Sequence, residues 1–181
     1  MPERSKRLRI LAGPNGSGKS TIVNKIRSSY YCGYFVNADE IQAILDEKKV
    51  LNLNSNYGLE VHPTSFEKYL SSENARQRGY KNYLYFVCTV SPLINIARVA
   101  QRVQLGGHDV PSDKIESRYY SSLALLSDLI PHTYHTYLFD NSSEDSEIRL
   151  VAEIENGSAF IPKTVEIPWW VDEYVVSKLF I

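Results

Sequence analysis

Apolar positions along the chain alternate with polar ones in two periods, and the periods change at definite places. Short apolar runs occupy Leu8–Ala12, Tyr34–Asn37, Tyr83–Val90 and Tyr137–Asp140. Each has strand length and is bounded by turn-forming or polar residues. Between most of them the apolar residues recur at helical spacing. Strands alternating with helices predict an α/β fold with a central parallel sheet covered on both faces. The run Tyr83-Leu84-Tyr85-Phe86-Val87-Cys88-Thr89-Val90 has almost no polar break, so it predicts an interior strand.

Two helices carry clear start and stop signals. Ser91-Pro92 reads as a cap followed by proline at the first helical position. Leu93, Ile96, Ala100 and Val103 would then share one face, and Gly106-Gly107 ends the helix. The second helix starts near Ser112, carries Ile115, Tyr119, Leu123, Leu126 and Ile130, and stops at Pro131.

After Asp140 the pattern changes. Residues 148–154 and 158–161 flank Glu155-Asn156-Gly157, and Asn-Gly between two such runs predicts a β-hairpin. A last amphipathic segment, about Trp169 to Phe180, is expected to fold back on the body. The 181 residues fit one domain, divided into a core (1–147) and a C-terminal hairpin-and-helix extension (148–181). Residues 51–81 are the least regular: 52–58 read as a loop and Ser65–Gln77 as a short helix.

The decisive local feature is Gly13-Pro14-Asn15-Gly16-Ser17-Gly18-Lys19-Ser20, placed directly after the first strand. The pattern G-x-x-x-x-G-K-S between a strand and a helix is a phosphate-binding loop. Its glycines let consecutive backbone N–H groups face an anion. Lys19 supplies charge for the β- and γ-phosphates, and Ser20 is the expected Mg²⁺ ligand. The helix expected from Gly18 to Ser29, continuing through Thr21, points its positive end at the same place. A plain glycine-rich turn would leave the placement of Lys19 and Ser20 unexplained.

Composition narrows the picture. A net charge of −1 argues against a dedicated nucleic-acid binder, and Arg4-Ser5-Lys6-Arg7 reads as a solvated terminus. Two cysteines, Cys32 and Cys88, make no disulfide framework, and Cys88 is expected to be a buried core thiol. No signal peptide and no membrane span are expected, which points to the cytoplasm.

Phosphoryl transfer needs charge neutralisation, an aligned acceptor and in some cases a base. Asp39, just past the second strand in Asn37-Ala38-Asp39-Glu40, is the best base candidate. It could equally cap a helix with Gln42. Arg98, Arg102 and Arg118 could grip phosphate oxygens through bidentate guanidinium contacts, or simply be solvated. Gly106–Pro111 reads as a lid hinge rather than a metal site, His132 and His135 as incidental, and Asp140 as a turn former with Asn141 and Ser142 rather than a Mg²⁺ ligand. No Asn-Lys-x-Asp guanine signature and no Leu-Ser-Gly-Gly-Gln transporter signature occurs.

Taken together, Ala12–Thr21, Asn37-Ala38-Asp39, Arg98-Val99-x-x-Arg102-Val103-x-x-Gly106-Gly107-His108-Asp109-Val110-Pro111-x-x-Lys114-Ile115-x-x-Arg118-Tyr119 and Phe139-Asp140-Asn141-Ser142 resemble the zeta-toxin-like P-loop kinases, in their stand-alone bacterial branch. The resemblance implies a three-layer, nucleotide-kinase-like P-loop fold. It implies transfer of the ATP γ-phosphate to a hydroxyl of a small acceptor, a UDP-sugar in characterised members. It matches Asp39 to the family's general base and makes Arg102 and Arg118 lid arginines on the triphosphate, with ATP and Mg²⁺ as ligands and an antitoxin as a protein partner. Two stretches depart from the family's pattern. The segment before the third strand is short, with Ser65-Phe66-Glu67 only a faint echo of the acceptor-contacting stretch, and Ser121 stands where an arginine is usual. The alternative reading is an ATP-binding protein, non-catalytic or slowly hydrolysing, with a reduced acceptor site.

Overall fold

A computed structural model of the chain describes residues 7–29, 51–52, 60–61, 77, 79–107, 109–143 and 147–180. The first strand, β1 (Arg7–Ala12), leads through the glycine-rich loop into α1 (Lys19–Ser29). A two-residue antiparallel pair, β2 (Leu51–Asn52) and β3 (Glu60–Val61), stands apart from the main sheet. Then come β4 (Lys81–Cys88), α2 (Pro92–Gln104), α3 (Ser112–Ala124), α4 (Leu126–Leu129) and a 3₁₀ turn (Ile130–His132). The chain finishes with β5 (His135–Asp140), β6 (Arg149–Glu155), β7 (Ala159–Pro162) and a helical C-terminal segment, Trp169–Leu179, whose middle, Asp172–Val176, is a π turn. The expected strand Tyr34–Asn37 lies outside the described residues, as does the expected helix Ser65–Gln77 apart from Gln77.

The main sheet has the order β1-β4-β5-β6-β7. β1, β4 and β5 are parallel, so the expected parallel arrangement holds for these three. β6 and β7 are antiparallel, which makes the sheet mixed. The reason is the length of the connection. Residues 141–148 are fewer than the dozen or so that a parallel crossover needs. The hairpin predicted from Asn156-Gly157 forms there. Its first strand zips onto β5, so the C-terminal extension continues the core sheet.

One face of the sheet carries the main core. Leu84, Phe86 and Cys88 of β4, Leu138 of β5 and Ala152 and Ile154 of β6 project to it. Tyr119, Leu123, Leu126 and Ile130 from the α3–α4 region pack on them, as do Trp170, Val171 and Val175 from the C-terminal segment. Burying a side chain of this size stabilises by roughly 1.5–3 kcal/mol each. The five apolar residues expected of the second helix, Ile115, Tyr119, Leu123, Leu126 and Ile130, are all buried, although the one helix expected there divides into α3, α4 and the 3₁₀ turn. The last amphipathic segment packs on the body as expected. The opposite face of the sheet is aromatic: Tyr85 stacks on Tyr137, and His135 stacks on Tyr137 in turn.

The first predicted helix is correct in its ends but rotated in its face. Ser91 caps it, its Oγ accepting from Leu93 N, with Pro92 at the first position. Gly106 N donates to Val103 O and Gly107 N to Arg102 O, a Schellman closure. However, Leu93 is exposed and Ala100 faces solvent, while Asn95 and Val99 are buried. A polar residue occupies the innermost position because it has a polar task, described below.

Candidate functional site

The loop at the carboxyl end of β1 is closed by short-range bonds. Ser17 N donates to Pro14 O, and Thr21 N and Ile22 N to Gly18 O, which begins α1. Of the first four N–H groups of α1, those of Thr21 and Ile22 are thus taken by Gly18 O, which leaves those of Lys19 and Ser20 without an intrahelical acceptor. Gly16 and Gly18 lie in the left-handed region, with φ of 77° and 97°. Each also touches a neighbour that leaves no room for a side chain. A Cβ on Gly16 would sit 2.6 Å from the Asn95 carbonyl oxygen, and one on Gly18 would collide with the Asn141 side-chain amide. The loop is thus pressed against α2 on one side and the end of β5 on the other.

Lys19 arches over this loop. Its Nζ donates to Gly13 O and Pro14 O, both at 2.9 Å. The ammonium is held at the mouth of the cradle by the loop's own carbonyls. Pro14 and Ser17 are buried, Gly13, Asn15, Gly16, Gly18 and Lys19 are half-buried, and Ser20 and Thr21 are exposed at the start of α1. The Ser17 Oγ and Asn141 Oδ1 atoms are buried beside the loop without a hydrogen-bond partner.

Two side-chain amides grip the back of the loop. Asn95 Nδ2 donates to Asn15 O at 2.8 Å, and Asn141 Nδ2 donates to Ser17 O at 2.8 Å. Asn95 is itself held by Thr89, whose Oγ1 donates to Asn95 Oδ1 at 2.5 Å, while Tyr119 OH donates to Thr89 O. Sequence reasoning did not single out Asn95, Thr89 or the amide of Asn141. No local signal marks Asn95, which lies between Ile94 and Ile96 and whose side-chain amide finds its partner 80 residues away.

The end of β5 forms a turn in which Asp140 takes the turn-forming role expected of it. Its carboxylate is buried and accepts from Ser142 N, Ser142 Oγ and Trp170 Nε1. Arg149 approaches it at 3.9 Å. Ser142 Oγ also accepts from Val90 N, and Asn141 N donates to Cys88 O, so the turn is stitched to the end of β4. The Cys88 thiol beneath is pushed up to about 12, mainly by burial, and is the buried core thiol expected.

The arginines separate. Arg98 is half-buried and tied to backbone carbonyls: its Nη1 donates to Asn141 O at 2.7 Å and its Nη2 to Ser143 O at 3.5 Å. Arg102, one turn further along α2, and Arg118 on α3 are exposed, and α2 and α3 pack against each other. His135 is tied to Glu153 at 3.1 Å on the sheet's aromatic face, away from the loop. Asp39 and His108 lie outside the described residues. Among the described residues no cluster of three or more His, Cys, Asp or Glu could hold a metal ion, and no helix is long and apolar enough to cross a membrane.

No protein-family model and no curated protein sequence matches the chain. Its structure is similar to solved structures of the AvrRxo1-ORF1:AvrRxo1-ORF2 complex. Against the one crystallised with sulphate ions the TM-score is 0.55 at 19% identity, covering 89% of this chain. Against the one with ATP it is also 0.55 at 19%, covering 88%. The native complex gives 0.54 at 16%, covering 97%. The chain spans 62%, 61% and 66% of the length of those three chains. At this identity the similarity establishes a shared α/β fold.

Proposed function

We propose that the fold is of the P-loop, nucleotide-kinase-like type and that the chain is an ATP-dependent phosphotransferase of the zeta-toxin-like kind, acting on a hydroxyl of a small acceptor. The observation that carries this reading is the loop itself. Residues 13–20 curl at the carboxyl edge of β1 and the N-terminus of α1, too tight for side chains at Gly16 and Gly18, with the Lys19 ammonium at the mouth. Such a cradle suits a polyphosphate in shape and sign. Similar chains crystallised with sulphate ions and with ATP support the same reading.

The donor set fits the triphosphate. Backbone N–H groups of the loop and of the first turn of α1 would hold the β- and γ-phosphates. Lys19 would exchange its bonds to Gly13 O and Pro14 O for phosphate oxygens, so its charge needs little rearrangement. The exposed Ser20 hydroxyl suits Mg²⁺, which takes few protein oxygens and several from phosphates and water. When bound, that ion would neutralise charge developing on the phosphates.

Asp39 is proposed as the base. It would take the proton from the acceptor hydroxyl as that oxygen bonds to the γ-phosphorus and the bond to the β-phosphate oxygen breaks, releasing ADP. Arg102 and Arg118, exposed on the adjoining helices α2 and α3, would close on the γ-phosphate oxygens. A UDP-sugar is the acceptor class implied by the sequence resemblance, and a protein partner is in keeping with the two-protein complexes among the similar structures.

The test is ATP consumption by purified protein with Mg²⁺, with and without a panel of UDP-sugars, using Lys19→Ala as the blank. Stimulation by one of them supports the kinase reading. Tight ATP binding with no stimulated turnover supports the alternative, a nucleotide-binding protein with a reduced acceptor site.

A further inference from the structure

Asn95 and Asn141 are buried, are remote in sequence from the loop, and have no part in the chemistry proposed above. Both nevertheless spend a side-chain N–H on a loop carbonyl. Their effect follows from peptide geometry. In a trans peptide the C=O of one residue and the N–H of the next point in opposite directions, and no cis bond occurs among the described residues. A bond that fixes Asn15 O toward Asn95 therefore turns Gly16 N–H away from Asn95. A bond that fixes Ser17 O toward Asn141 turns Gly18 N–H away from Asn141. Those directions lead out of the packed side of the loop.

The two clamps are themselves braced. Thr89 and Tyr119 fix Asn95 from the end of β4 and from α3. Arg98 fixes Asn141 through its carbonyl, and Cys88 O fixes it through its N–H. Asn95 and Arg98 are both on α2, which also carries Arg102.

We propose that Asn95 and Asn141 are positioning residues that aim the Gly16 and Gly18 N–H groups at a polyphosphate, and that Arg98 acts through Asn141 to make α2 and the loop one rigid unit. The loop then presents its donors before any ligand arrives, which lowers the ordering cost of binding. Arg102 is held in a fixed relation to the cradle because its helix is bonded to the back of that cradle. This rests on the reading of the loop as a phosphate site.

The experiment compares wild type with Asn141→Ala and Arg98→Ala. Arg98→Ala removes a half-exposed side chain and leaves the core intact, so it remains informative should Asn141→Ala fail to fold. Amide hydrogen exchange of the ligand-free protein is followed for a peptide covering residues 13–19 and one covering 81–88. Binding of inorganic tripolyphosphate is measured by calorimetry. The expected result is loop exchange accelerated about tenfold more than that of the 81–88 peptide, which reports any global loss of stability, and tripolyphosphate affinity weaker by about tenfold, the factor an ordinary lost hydrogen bond gives. Unchanged loop exchange, equal acceleration of both peptides, or faster loop exchange with full affinity would each overturn the proposal. Wild-type protein that binds neither tripolyphosphate nor ATP would instead overturn the phosphate-site reading, and the clamps' purpose with it.

Discussion

Asn95 donates its side-chain amide to Asn15 O at 2.8 Å, joining the first turn of α2 to a loop 80 residues earlier in the chain. The bond explains why an asparagine occupies a fully buried position on α2, beside Val99. It also explains why Gly16 has no room for a side chain, since the Asn95 backbone is what a Cβ there would meet. The loop's shape is therefore set by tertiary contacts as well as by its own glycines.

Gly18→Ala is expected to destabilise the protein by about 2 kcal/mol, from a left-handed backbone forced on alanine and a clash with the Asn141 amide. For a chain of this size the melting temperature should fall by roughly 4–8 °C. A melt indistinguishable from wild type would mean that the loop is not packed against Asn141.

Asp39→Asn should leave ATP affinity within about twofold and lower acceptor-dependent turnover by about 10²–10⁴, the range for loss of a general base. Binding calorimetry and steady-state kinetics separate the two. Full turnover in the variant would return Asp39 to the helix-capping role that Gln42 also fits.

Arg102→Ala and Arg118→Ala should each cut turnover by about 100-fold with little change in melting temperature, because both side chains are exposed. Arg98→Ala should do the reverse in stability, costing about 1–3 kcal/mol through the carbonyls it leaves unpaired. Equal melting temperatures for all three variants would contradict the separation of roles.

The Cys88 thiol, held near 12 by burial, should resist alkylation at pH 8 in the native state and react once urea unfolds the chain. Peptide mass spectrometry identifies the modified residue. Rapid native labelling of Cys88 would show that the end of β4 opens.

Tyr137 is pushed up to about 12 by burial and by its neighbours Tyr85 and Glu153. In the unfolded chain it would lose its proton near 10, so above that pH its deprotonation lowers the free energy of the unfolded state relative to the folded one. Stability should fall as pH rises from about 10 through 12. Tyr137→Phe should flatten that part of the profile in urea denaturation. An identical slope would place the loss elsewhere, for instance at Tyr119, which is also raised by burial.

Much of this was legible in the chain. The helix limits at Ser91-Pro92 and Gly106-Gly107, the Asn156-Gly157 hairpin and the core residues Tyr119, Leu123, Leu126 and Ile130 all follow from local capping and periodicity. The turn role of Asp140 was legible for the same reason, since its partner Ser142 is two residues away. What sequence could not supply was tertiary. The inward face of α2 was misplaced because Asn95 is buried through a hydrogen bond to a remote loop, while Leu93 is left in solvent. Arg98 read as either a phosphate ligand or a solvated residue, because nothing local reveals that Asn141 O lies across a gap of 43 residues. The mixed sheet depended on a hairpin whose strands were foreseen but whose docking on β5 was not.

The most direct test is calorimetric titration of ATP with Mg²⁺ into wild type and Lys19→Ala. The account predicts saturable binding by wild type, and a loss of at least about tenfold in affinity when the ammonium at the loop mouth is removed. Equal affinity in the two proteins, or no binding by wild type, would contradict the assignment of residues 13–20 as a nucleotide cradle.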